Sequence, residues 1–148
     1  DNQQLRFLVG KAEDDQLSMD DVEFAIDILE RDFLFAGLVE LFDQSILLLS
    51  KQIGWKPCSY RPLNQGSDHD IDDADIKTIA ALNEFDRILV EHVREKIAAE
   101  TQKYGALFQG AFEEWMSARR TMEAGGGPVP VVEVGADELP RVSKFLLA

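Results

Sequence analysis

Residues 33–55, from Phe33 to Trp55, read FLFAGLVELFDQSILLLSKQIGW. The stretch opens as a compact apolar run with Gly37 inside it, and then its period changes. Leu41, Phe42, Ser45, Leu48 and Leu49 recur at helical spacing, with polar Asp43, Gln44, Ser50 and Lys51 between them. The apolar residues of 33–38 do not alternate with polar ones, which predicts a short strand buried on both faces. A helix over 40–53 follows, ended by Gly54 as its C-cap. A strand feeding directly into a helix is an α/β signature, so the stretch poses the question of which sheet its strand joins.

Most of the surrounding chain reads as helix. A helix is predicted over 17–31, with Ser18 as N-cap, Asp20 and Asp21 in the dipole-favoured first turn, and Leu17 and Val22 placed as a hydrophobic staple. Its apolar stripe is Val22, Ala25, Ile26 and Leu29. Residues 55–70 carry Pro57, Pro62, Asn64 and Gly66 and read as a loop. Helix resumes near Asp72 or Asp73. Ile76, Ile79 and Ala80 form its first apolar face, a break falls near Asn83, and Leu82, Phe85, Leu89, Val93 and Ile97 continue the spacing. A last helix over 106–122 should turn Leu107, Phe108, Ala111, Phe112, Trp115 and Met122 inward. Gly125, Gly126, Gly127 and Pro128 then form a flexible break. Residues 129–134 could add an edge strand, since Pro130 excludes a central one, and 137–148 a short closing helix. The expected fold is therefore mainly α with one or two short strands. Residues 1–123 form one region, and 124–148 a Gly/Pro linker and tail.

The net charge is −13 over 148 residues. That excludes nucleic acid as an expected partner, because phosphate backbones are bound by clustered Lys and Arg. It argues equally against an anionic membrane surface. No apolar run approaches the roughly 18 residues a membrane-spanning helix needs, and DNQQLRFLVG lacks the pattern of a signal peptide. The chain does not begin with Met, which suggests a processed product or a piece of a longer protein. Cys58 is the only cysteine, so no intrachain disulfide and no cysteine metal site is expected.

Candidate chemistry is sparse. The acidic run SDHDIDDAD over 67–75 suggests calcium, but counting an EF-hand loop from Asp68 puts Asp73 where Gly is needed and Ile79 where Glu is needed. A solvated loop capping the next helix fits better, and no metal site is expected. His69 lies within that acidic run and His92 beside the apolar stripe of a helix, neither with a readable nucleophile. Neither GxxxxGK[ST] nor GxGxxG occurs. At the N-terminus, Arg6 stands among the amides Asn2, Gln3 and Gln4. A planar guanidinium with amides suits sulfate or phosphate oxygens, and a frayed polar terminus explains the same residues.

Taken in order, these segments resemble the C-terminal half of carbohydrate-type sulfotransferases, of the Golgi and of bacteria. The resemblance rests on Asn2, Gln4, Arg6 and Leu8; on Phe33, Phe35, Gly37, Leu38 and Glu40 leading into Phe42, Asp43 and Ser45; on Asn64; and on Asn83 and Asp86. It covers about residues 1–104, and 105–148 match nothing in it. It implies the C-terminal part of a P-loop-like α/β sulfotransferase fold and 3′-phosphoadenosine 5′-phosphosulfate as sulfuryl donor; it leaves the compartment open between the Golgi lumen and bacteria, with the bacterial cytoplasm slightly favoured. The acceptor would be a carbohydrate or small-molecule hydroxyl. It also implies that the phosphosulfate loop and catalytic base lie in an N-terminal half, so that this portion alone is inactive and binds no cofactor. Arg6 and Asn2 are the residues nominated for donor or acceptor contact, and Glu40 for a structural role at the strand end. The alternative is a non-enzymatic acidic helical module that binds a partner, self-associates into a homo-oligomer or docks to such a half. Its expected apolar surface is the helix over 106–122.

Overall fold

The computed structural model describes residues 1–55 and 72–125, the last four as backbone alone. Six α-helices occupy these residues: α1 (Gln3–Val9), α2 (Met19–Arg31), α3 (Phe42–Ile53), α4 (Asp73–Leu82), α5 (Glu84–Tyr104) and α6 (Ala106–Gly125). They divide between two compact units, one built from residues 1–38 and 72–96, the other from 39–55 and 97–125. The mainly α-helical expectation is met.

The core of the first unit is Leu5 from α1, Val22 and Ala25 from α2, and Leu89 from α5. Leu8, Val9, Leu17, Ile26, Phe85 and Ile88 pack around it. Helix α2 forms where its sequence places it. Ser18 is the N-cap, and the Asp21 carboxylate returns to the Ser18 N–H at 2.8 Å, closing a capping box. Leu17 and Val22 share the core, as a staple requires. Helix α1 is a gain over the sequence reading. Its N-cap, Asn2, sits in the left-handed region (φ 49°, ψ 43°), and its own side chain caps a different helix.

Three expectations are corrected. Residues 33–38 form no strand, and none of the described residues is in a strand. Strand preference is realised only against a pairing neighbour. Among the described residues the segment is irregular, with Leu38 buried and Phe33 and Leu34 about half-exposed, so it is not covered on both faces. Secondly, no residue of α4 is buried, and Ile76, Ile79 and Leu82 stand 52%, 54% and 50% exposed. Helical periodicity reports that a helix is two-faced, not that its apolar face is covered. Thirdly, Leu107 of α6 is exposed where an inward position was expected. The expected strand over 129–134, the helix over 137–148 and the loop around Pro57 and Pro62 lie outside the described residues.

In the second unit α3 packs on α6. Leu47, Leu48, Phe108 and Trp115 are buried, together with Ile97 of α5. Phe108 stacks on Phe112 with ring centroids 6.1 Å apart. Ser50 belongs to the buried set, its hydroxyl donating to the Leu47 carbonyl at 2.8 Å. Gly54 ends α3 as expected, with φ 70° and its N–H on the Ser50 carbonyl. That left-handed backbone is the reason for a glycine there. The break near Asn83 is also as expected, with Asn83 ending α4 and α5 starting at the next residue.

Candidate functional site

The most connected polar arrangement of the first unit joins the starts of α1 and α5. The first peptide N–H groups of any helix lack intrahelical acceptors, and here each helix start is satisfied by a side chain from the other. The Asn2 Oδ1 accepts from the N–H groups of Phe85 (2.9 Å) and Asp86 (3.1 Å). In return the Asp86 carboxylate accepts from the N–H groups of Gln4 (3.1 Å) and Leu5 (2.8 Å). The Asn2 N–H donates to Asn83 Oδ1 at 2.9 Å. Asn2 and Asp86 are both buried, so these bonds are shielded from competing water. A negative carboxylate at the start of α1 is also favoured by the helix dipole.

Arg6 points elsewhere. Its Nε donates to the Asp1 carbonyl at 3.2 Å, and its Nη1 to the carbonyls of Asp15 (2.9 Å) and Ala12. The Asp1 carboxylate completes an ion pair at 3.4 Å, and the Arg6 side chain is only 11% exposed. Arg6 therefore holds the turn after α1. Lys11 does the same from within that turn, donating to the Gln16 carbonyl (3.0 Å) and pairing with Asp21 (2.7 Å). The Lys11 ammonium, together with the Ser18 N–H and hydroxyl, holds the Asp21 carboxyl below its ordinary range. The two nominated residues are thus in one unit but do not converge: Asn2 is spent on α5 and Arg6 on residues 10–17.

A second polar cluster ties α2 to α5. Glu30 accepts from Lys96 at 2.7 Å and meets His92 Nε2 at 2.9 Å. Lys96 first, then His92, lowers the Glu30 carboxyl from its ordinary value. His92 is a boundary residue with a carboxylate partner, as its position beside the stripe suggested. In the second unit Asp43, in the first turn of α3, accepts from Trp115 Nε1 at 3.0 Å and pairs with Arg119 at 2.5 Å. Trp115 is buried in the core, as its expected inward position requires. Glu40 lies in the turn before α3 and has an interaction partner.

One open groove of about 210 Å³ lies within the first unit. Leu8, Leu29, Phe35, Leu38, Leu89 and Val93 supply its apolar walls, and Gln4 its polar edge. Sequence reading missed it, because its walls come from α1, α2, α5 and residues 33–38, which periodicity cannot bring together. The exchange between Asn2 and Asp86 left a trace: Asn83 and Asp86 stand at cap spacing, an amide followed three residues later by an acid. Asp72 caps α4 by accepting from the Ala74 N–H at 3.1 Å, the role suggested for the acidic run. Cys58, Asn64 and His69 lie outside the described residues. Among the described residues no cluster of His, Cys, Asp and Glu could hold a metal ion, and no helix is long and apolar enough to cross a membrane.

Comparison with protein-family models, with curated proteins and with solved structures finds no match to this chain. The class that the fold itself defines is an acidic, mainly α-helical protein, with an apolar groove and a buried polar junction in its first unit.

Proposed function

We propose that this chain is the C-terminal portion of a sulfotransferase-like enzyme, in which a sulfuryl group passes from 3′-phosphoadenosine 5′-phosphosulfate to an acceptor hydroxyl. In this reading it is the scaffold portion of the enzyme, inactive alone, and the bacterial cytoplasm is favoured over the Golgi lumen as its setting. One observation supports the reading. Asn2 and Asn83, from two separate segments of the resemblance, lie 81 residues apart in the chain yet bond to each other, and Asp86 completes the same junction. Residues singled out by a motif pattern thus share one physical task. Arg6 becomes a positioning residue, acting through residues 10–17 and not through direct contact with the donor.

Donor titration and transfer assays test this. This chain alone should give no calorimetric signal with 3′-phosphoadenosine 5′-phosphate, while the parent polypeptide should transfer labelled sulfate. A parent that neither binds the donor nor transfers sulfate would overturn the reading. In the parent, Arg6→Ala should lower kcat through a loosened site. A direct transition-state contact would instead cost on the order of 10²–10³-fold with the fold intact.

The second reading, a non-enzymatic acidic module for protein interaction or self-association, is favoured by α4 and not by the helix over 106–122 first considered. Ile76, Ile79 and Leu82 are half-exposed on α4, whereas Phe108 and Trp115 of α6 are buried. Light scattering that shows a strict monomer, with unchanged dye binding on Ile79→Lys, would remove it.

A further inference from the structure

We draw no further inference here: the strongest candidate, the open apolar groove of the first unit between α1, α2, α5 and residues 33–38, carries nothing because nothing in the structure shows what covers it.

Discussion

Asp86 bonds to the first turn of a helix that begins more than eighty positions before it, and its own N–H is held by the Asn2 side chain. Asp86→Ala would strand the N–H groups of Gln4 and Leu5, and Asn2→Ala those of Phe85 and Asp86. Each should cost about 1–2 kcal/mol, the range of a lost helix cap, read as a lower urea midpoint with unchanged slope. The two substitutions share one junction, so the double variant should depart from additivity by about 0.5 kcal/mol or more. Strict additivity would mean that the two caps act independently. Trp115→Phe keeps most of the buried ring but leaves Asp43 without the indole N–H. Its destabilisation should be close to about 1 kcal/mol, well short of the roughly 3–5 kcal/mol expected for Trp115→Ala, which empties the site as well.

At the scale of elements, α4 and α5 make the sharpest contrast, because they adjoin in sequence and carry similar apolar spacing. Leu89 of α5 is in the core and Ile79 of α4 is half-exposed. Leu89→Ala should destabilise by about 2–5 kcal/mol. Ile79→Lys should stay within about 0.5 kcal/mol, as measured by thermal melting. A large loss from Ile79→Lys would show that α4 is covered in solution. Residues 33–38 give the same lesson in another form. Their apolar, non-alternating composition is strand-like, but a strand requires a partner backbone and an isolated one is not stable in water. Helices α2 and α3 needed no such partner to be legible. Their hydrogen bonds are internal, and their ends are marked by Ser18 with Asp21 and by Gly54.

At the scale of the whole molecule, acid sensitivity follows from Asp21 and Glu30. Both carboxyls are lowered in the folded state, Asp21 by Lys11 and Glu30 by Lys96 and His92. A depressed carboxyl contributes stability above its unfolded value, near 4, and that contribution is lost as pH falls through the folded value. Melting temperature should therefore drop below about pH 4. Lys11→Met and Lys96→Met should each flatten the drop. The Glu30 and Lys96 side chains are about half-exposed and the Lys11–Asp21 pair is partly buried, so the effect should be small, and high salt should shrink it more at Glu30 than at Asp21.

Taken alone, the sequence determined the α-helical class, the positions of α2, α3, α5 and α6, and the break at Asn83. All of these follow from local periodicity and end signals. It also determined the net charge of −13. Only the tertiary structure decided that Asn2 and Asp86 exchange caps, that Arg6 is folded onto its own turn, and that α4 is left uncovered. It also decided that residues 33–38 are irregular and not a strand. The physical reason is one of range. A helix satisfies its backbone within four residues and writes that need into neighbouring positions. A cap taken from a distant helix, a groove wall or a strand partner is chosen by which surfaces meet, and no local pattern records that choice.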